Sequence, residues 1–513
     1  MKLNRTIGVI DIKKEYDVIN SYFIKANEKI DSGDAESALE YVTKLEESKE
    51  KNLANYYLAP LYIDIGAAKE DAPMVLRGID LIEKNFEAWS KIGSPENMCY
   101  NLGNGYLFYY DITGERYWNT KIVLLEAKNN YRNALSVEDI DSNLKALILT
   151  NLGNVYSKTG RYIDALDCYD LALRVDPDFG LAIINKGSSL IEYSSLTNNP
   201  FSFIHNAYLH YKEASKKDNL NPEDLDNINK WIEYLEKKYD KDVLNKPHES
   251  ELTLGEEVSI EGFSKLFCLM NKLYLNTCNY CQKCNSAIGD TLLLKGMVSK
   301  ISTDFEDAPY LKYSSFLNEI KMNYVSSRLY LILSQHAYSN LEFIDNTVSL
   351  VNTLSYESQN INTQLLKDAF SNFYNILDKI AYFINDYCKL GIKERGINFK
   401  SIWYSECNDN TIRFRDLDFD NDGLTALLDI NEDLRWGKEN ELTEPRNALT
   451  HRFLKVKLFS INEGDIDERD LYEKTLELAK IVRNAIIYLM RVVDYEESKK
   501  HSDATLEVPL LFR

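Results

Sequence analysis

Proline and glycine are scarce, 10 and 21 in 513 residues, which fits few turns and many helices. No stretch approaches 18 apolar residues without a charge, and this removes a membrane span. The first residues, MKLNRTIGVIDIKKEYDV, hold neither an uninterrupted apolar core nor a small-residue cleavage site, so no secretory signal is expected. Cysteine is sparse as well. Eight in so long an acidic chain read as reduced thiols, and the expected location is the cytoplasm. Basic charge is outnumbered, 60 Lys and Arg against 80 Asp and Glu, for a net charge of −20. Non-specific coating of long nucleic acids is thereby excluded, and any polyanion site must be a local basic pocket. Of six histidines, His205, His210, His248, His336 and His501 are scattered without partners and read as structural or solvated. A phosphate-cradling glycine loop, a nucleophile elbow and a nucleotidyltransferase motif are all missing.

What is present is length and apolar content. At 513 residues the chain calls for several domains or a repeat array, and 44% hydrophobic residues with 35 Tyr and 20 Phe exclude global disorder. Residues 146–179 read ALILTNLGNVYSKTGRYIDALDCYDLALRVDPDF. Leu152, Gly153, Tyr156, Gly160, Tyr162, Ala165, Tyr169, Ala172 and Pro177 fall at the spacings of a tetratricopeptide repeat. Gly153 and Ala165 are small where two antiparallel helices must touch, Tyr156 and Tyr169 fill the space between turns, and Pro177 stops the second helix. Upstream, Leu102, Gly103 and Tyr106, then Ala127, Tyr131 and Ala134 after the insertion DITGERYWNT, repeat the pattern. Downstream, Gly187, Ala207, Tyr211 and Ala214 do so again. The stretch SGDAESALEYVTKL and the region 54–90 read as degenerate helical pairs. One repeat cannot bury its own face, so the expectation is a helical solenoid over 1–245 that resembles peptide- or protein-binding scaffolds. The polar segment NKPHESELTLGEEVS breaks the rhythm and sets a linker at 246–260.

From 261 to 513 the chain stays helical without repeats. Three stretches starting near 308, 364 and 469 carry apolar residues every three to four positions, which predicts a helical bundle. The whole protein is therefore expected to be all-α.

Within ELTEPRNALTHRFLKVKLFSIN, Thr443 or Glu444 suits a helix cap and Pro445 its first turn. Arg446 then lies in that turn, His451 about one and a half turns later, and Asn447 one turn before His451, placed to hold its imidazole. Residues 445–462 contain no acid but carry Arg446, His451, Arg452, Lys455 and Lys457. In a chain of net charge −20 this is a local cationic island beside the positive end of a helix, suited to a phosphodiester.

Arg446, the polar Asn447 and His451 resemble the R-x4–6-H signature of HEPN-domain ribonucleases. The flank RNALTHRFLKV and the upstream FSNFYNILDKIAYFINDY look like a HEPN branch fused to tetratricopeptide arrays in bacteria. The resemblance covers about 310–500. It implies a metal-independent endoribonuclease without cofactor, dimeric, with one cleft assembled from two motifs. Arg446 would then bind the scissile phosphate and stabilise transition-state charge, His451 would move protons, Asn447 would accompany them, and Arg452, Lys455 and Lys457 would hold RNA phosphates. Such pairings resemble bacterial anti-phage and toxin-like effectors, with the repeat face receiving a protein or peptide trigger. The rival reading is a non-catalytic adaptor whose HEPN-like bundle only dimerises.

Two further patterns resemble metal sites. Cys278, Cys281 and Cys284 have the tight spacing of metal thiolates but no evident fourth ligand, and on a helix they form a small apolar stripe instead. DFDNDGLTALLD, 418–429, matches much of a calcium loop, yet ends on Asp429 where a bidentate Glu is wanted. An acidic helix start is the better reading.

Overall fold

The computed structural model describes residues 2–91, 93–119, 121–196, 200–218, 220–245, 259–278, 285–294, 297, 309–335, 341–351, 355–408, 411–459 and 466–500. It is almost wholly helical and resolves into two compact units, Met1–Lys158 with Asp164–Lys186, and Thr159–Ile163 with Gly187–Arg513. The expected linker at 246–260 lies mostly outside the described residues.

In the first unit, α1 (Lys2–Asp31), α2 (Ala35–Glu46), α3 (Lys51–Ala68), α4 (Ala72–Trp89), α5 (Pro95–Thr113), α6 (Val123–Leu135), α7 (Ser142–Lys158) and α8 (Tyr162–Val175) follow one another. Asp34 caps α2 and Asp71 caps α4 by accepting backbone N–H bonds, at Ser37 and Met74. The repeat spacing has a direct packing cause. A Cβ on Gly103 would sit 2.5 Å from the Tyr131 ring, and one on Gly153 equally close to that of Tyr169. Tyr106, Tyr131, Val155, Ala165 and Tyr169 are buried in one continuous core. The insertion DITGERYWNT forms the edge of a short hairpin, β1 (Tyr117–Trp118) with β2 (Lys121–Ile122). Asparagines unremarked in the sequence link successive repeats. Asn151 donates to Asn104 at 3.0 Å, and Asn185 donates to Asn154 at 2.9 Å.

The second unit includes the rest of α9 (Gly180–Ser194), then α10 (Phe201–Ala214), α11 (Pro222–Lys238), α12 (Lys241–Asn245), α13 (Ile260–Met270), α14 (Pro309–Gln335), α15 (Glu342–Asp345), α16 (Ile361–Tyr387), α17 (Asp422–Trp436), α18 (Thr443–His451) and α19 (Glu468–Ser498). The three periodic stretches of the sequence are α14, α16 and α19. Phe373, Ile380 and Ile384 of α16 and Val482, Ile486 and Leu489 of α19 are fully buried. Tyr324 of α14 is also fully buried and donates to the Leu273 and Ala479 carbonyls at 3.1 and 3.3 Å. Two strand pairs were not foreseen: the antiparallel hairpin β3 (Tyr404–Asn408) with β4 (Thr411–Phe414), and the short parallel pair β5 (Val456–Lys457) with β6 (Ile466–Asp467).

Residues 159–163 belong to this second unit, and they are held by α17 and α19. Arg161 reaches Asp433 at 2.6 Å and Asp429 at 3.1 Å, with all three side chains almost wholly enclosed. The Tyr488 hydroxyl oxygen accepts the Ile163 N–H at 3.3 Å. Gly160 takes φ +76° with its α-carbon against the Asp422 backbone, a place no side chain fits.

Candidate active site

Helix α18 does not begin with the side-chain cap that Thr443 or Glu444 suggested. A 3₁₀ turn, Lys438–Leu442, runs straight into it, and Leu442 supplies no capping bond. The turn takes the place of the cap: its own geometry continues into the helix, leaving Thr443 to point elsewhere. The Thr443 hydroxyl donates to the Leu434 carbonyl at 3.3 Å and accepts from the Lys400 ammonium at 3.0 Å. Pro445 is buried in the first turn, and Arg446 follows it half-exposed.

The Arg446 guanidinium lies 5.5 Å from the centre of the Tyr374 ring and 4.0 Å from an Asp378 carboxylate oxygen, both on α16. It donates weakly to the Asn447 side-chain oxygen at 3.4 Å, and its Nε is enclosed without a hydrogen-bond partner among the described residues. Asn447, expected to hold the His451 imidazole, thus has its side-chain oxygen on its neighbour Arg446. Asp378 accepts the Phe399 N–H at 2.9 Å. Burial raises its carboxyl above the ordinary value, against the pull of that N–H and of Arg446 and Lys400.

Lys400 and Arg435, absent from any sequence motif, complete the cluster. Lys400 stands in the turn before β3, and Arg435 donates to its carbonyl at 3.2 Å while lying over the Trp436 ring at 4.6 Å. Burial lowers the Lys400 ammonium, and the charges of Arg435 and Arg446 lower it further, with Asp378 opposing. Lys400 and Arg446 therefore share the field of one carboxylate, and Arg435 adds its charge beside Lys400. No local spacing in the sequence signals the two outside the motif.

The cationic flank is less bare than its sequence. Arg452 pairs with Glu444 at 2.8 Å and Lys455 with Glu357 at 3.2 Å, while Lys457 donates to the Ser355 carbonyl at 2.8 Å. Glu357 arrives because its backbone bridges to Lys457 of β5, although it stands far upstream in sequence. The Arg452 pair is mostly exposed and so weakly held. His451 ends α18, and its side chain lies outside the described residues; on an ideal helix, five residues at roughly 100° each set two positions about 140° apart. Beyond His451, exposed apolar side chains alternate with the cations of this flank. Phe453 is 93% exposed, and Leu458, Phe459 and Tyr356 are exposed too, with the Tyr356 and Phe459 rings 5.4 Å apart. On the other side, Asp378 joins Phe316 and Tyr382 in the wall of a cleft of about 380 Å³.

The remaining candidates sort readily. Cys281 and Cys284 lie outside the described residues, and Cys278 sits in a short turn. Among the described residues no group of three or more His, Cys, Asp and Glu side chains gathers to hold a metal. The acidic segment 418–429 is a helix start: Asn421 caps α17 by accepting the Gly423 and Leu424 N–H bonds, Asp422 pairs with Arg491 at 2.8 Å, Asp418 pairs with Lys499, and Asp429 meets Arg161. His205 is structural, its Nδ1 2.8 Å from the Leu244 carbonyl. No helix among the described residues is long and apolar enough to cross a membrane.

Comparison with known families covers the segment that holds this site. Residues 305–496, which contain α14, α16, α17, α18 and α19, match the family model described as LA2681-like HEPN. Residues 146–179 match the tetratricopeptide repeat model. No curated protein matches the chain. A HEPN domain suggests a nuclease-like function, and a tetratricopeptide repeat suggests an interaction or regulatory role. The chain therefore joins a tetratricopeptide repeat to an LA2681-like HEPN domain.

Proposed function

We propose that the protein is a HEPN-type endoribonuclease that works as a homodimer and is regulated through its repeat array, a cytoplasmic effector of the anti-phage or toxin-like kind. One observation carries the reading: on the helix bearing the motif, the Arg446 side chain is 28% exposed, over the Tyr374 ring and only loosely paired with Asp378. A cation held in place but not neutralised at contact distance is suited to a phosphate.

In this reading Arg446 binds the scissile phosphate and offsets the charge that develops on its oxygens. His451 takes the proton of the ribose 2′-hydroxyl as that oxygen attacks phosphorus. The P–O5′ bond breaks, and the 5′-oxygen leaves with the proton that His451 took, which returns the imidazole to its neutral form. Products carry a 2′,3′-cyclic phosphate and a 5′-hydroxyl, and no step in this route calls on a metal. Asn447 holds the Arg446 head group, and Arg452, Lys455 and Lys457 contact neighbouring phosphates by exchanging their present partners for RNA.

The second copy is supported by two features. Arg446 and His451 diverge by about 140° on one helix, so two helices facing across a two-fold axis serve a single phosphate better than one. The exposed Phe453, Leu458, Phe459 and Tyr356 next to α18 are the kind of apolar surface that a second subunit covers.

Incubating the intact protein with single-stranded RNA, with and without EDTA, tests the reading. Wild type should cleave in both conditions, and Arg446→Ala and His451→Ala should each lose cleavage with thermal stability almost unchanged. Full loss in EDTA with rescue by magnesium would overturn the mechanism. Equal cleavage by both variants would leave the adaptor reading in its place.

A further inference from the structure

The sequence motif contributes one arginine to the site, and the fold sets Lys400 within the field of Arg446 and of Arg435. Lys400, Arg435 and Arg446 come from the turn before β3, the end of α17 and the first turn of α18, and Asp378 is the carboxylate whose charge opposes those of Lys400 and Arg446. Like charges held together at partly buried positions cost free energy unless an anion joins them. Arg435 is already occupied structurally, since it donates to the Lys400 carbonyl and lies over two aromatic rings, Trp436 at 4.6 Å and Tyr404 at 5.5 Å. Lys400 differs. Its ammonium donates to the Thr443 hydroxyl, a neutral acceptor that satisfies one of its three N–H groups, and among the described residues no carboxylate pairs with it at contact distance. Thr443 stands three residues before Arg446, so that single bond aims the lysine at the start of the motif helix, on the Arg446 side.

We propose that Lys400 is a second phosphate-binding side chain of the Arg446 site, contacting the RNA backbone as a point charge beside the Arg446 fork. The proposal rests on the reading of this site as a ribonuclease centre. It assigns the chain a substrate-touching residue 46 positions upstream of Arg446, from outside the helix that carries the motif. Arg446 recognises phosphate oxygens through its planar fork, and Lys400 adds a compact, mobile donor that follows them as the geometry at phosphorus changes. Asp378 offsets part of the surplus while RNA is absent and keeps the arginine directed.

Full-length wild type, Lys400→Gln, Lys400→Arg, Thr443→Val and Arg446→Ala should be compared in two assays. The first is anisotropy of a fluorescein-labelled 2′-O-methyl RNA oligonucleotide, which cannot be cleaved, across a series of salt concentrations. The second is cleavage of the corresponding RNA, with KM and kcat resolved. A lysine that neutralises one phosphate of a single strand contributes about 0.7 to the slope of log affinity against log salt. Lys400→Gln should lower the slope by about that amount and weaken binding roughly tenfold, raising KM more than it lowers kcat. Lys400→Arg should restore most of the slope, and Thr443→Val, which frees the ammonium without removing its charge, should lower it less than Lys400→Gln does.

An unchanged slope in Lys400→Gln overturns the proposal, as does Thr443→Val reproducing the loss, because Lys400 would then only prop the helix start. Absence of any oligonucleotide binding by wild type overturns it as well. If wild type cleaves, Arg446→Ala does not, and Lys400→Gln cleaves normally, the nuclease reading stands and the Lys400 role falls. If wild type binds with the Lys400-dependent slope but cleaves nothing, the phosphate site stands and the nuclease reading falls.

Discussion

At the scale of single residues, the most consequential side chains outside the site are enclosed charges. Arg161 sits between Asp429 and Asp433 with almost no exposure on any of the three. Removing one partner of such a group strands the others in a poorly solvated interior, which costs about 3–5 kcal/mol. Arg161→Met should therefore lower the unfolding free energy of the second unit by that order, read from urea denaturation, and an unchanged midpoint would refute the role. Asp64 in the first unit makes the opposite case, an acid whose charge burial disfavours and whose charged neighbour is another acid. Burial pushes its carboxyl up to about 7 from 3.8, and the charge of Asp31 adds to the rise. Between those two values the folded state holds a proton that the unfolded chain has lost, so stability from this group is greatest in acid and falls as pH rises towards 7. Asp64→Asn removes that loss. Its stability relative to wild type should improve more at pH 8 than at pH 5, and an equal difference at both would show that Asp64 is not the titrating group.

The repeated element is a glycine on one helix under a tyrosine from the next. Gly103 lies beneath Tyr131, Gly153 beneath Tyr169, and Gly187 beneath Tyr211. In each, an added Cβ would meet the edge of a fully buried ring, and the surrounding core leaves the ring nowhere to go. Gly153→Ala gains roughly 1 kcal/mol of helix propensity but overpacks the interface by about 1–3 kcal/mol, so a net loss of stability is expected. Pairing it with Tyr169→Leu should recover part of the loss, since the two changes act on one contact. Strictly additive losses in the double mutant, measured by thermal unfolding, would place the strain elsewhere. Repeat spacing is readable in the sequence for this reason: each position answers to a neighbour within about thirty residues, and its size is set by that one contact. The start of α18 is not readable in the same way, because Thr443 is drawn to Leu434 and Lys400, which approach only in the folded bundle.

For the whole molecule, a net charge of −20 is compatible with the proposed RNA substrate only if positive charge is concentrated locally, as the proposed pairing of two copies would do. Phe453, Leu458 and Phe459 follow the end of α18 and are exposed in the single chain. Changing Phe453 and Phe459 to Glu places charge on that surface while leaving Arg446 and His451 in sequence and in their helix. The variant should sediment as a monomer and lose RNA cleavage together. Monomers that cleave at the wild-type rate would rule out a composite site, and a dimer that persists would move the interface elsewhere.

The sequence by itself determined the all-helical character, the repeat at 146–179 and the place of Arg446, Asn447 and His451 on one helix. All of these rest on local periodicity, and the structure and family models agree with the first two. It also indicated a helix start within 418–429, where Asn421 caps α17. Only the tertiary structure decided which charges share a space. Residues 445–462 contain no acid, yet Glu444 and Glu357 reach Arg452 and Lys455. Asp378 and Lys400 reach the Arg446 site from elements 68 and 46 residues upstream. Arg161, a turn residue of the repeat pattern, closes on two acids of α17. The physical reason is common to all three. Helical pattern is set by interactions a few residues apart, which spacing records, whereas electrostatic partnership depends on distance through space and on how much water is excluded, and neither is written along the chain.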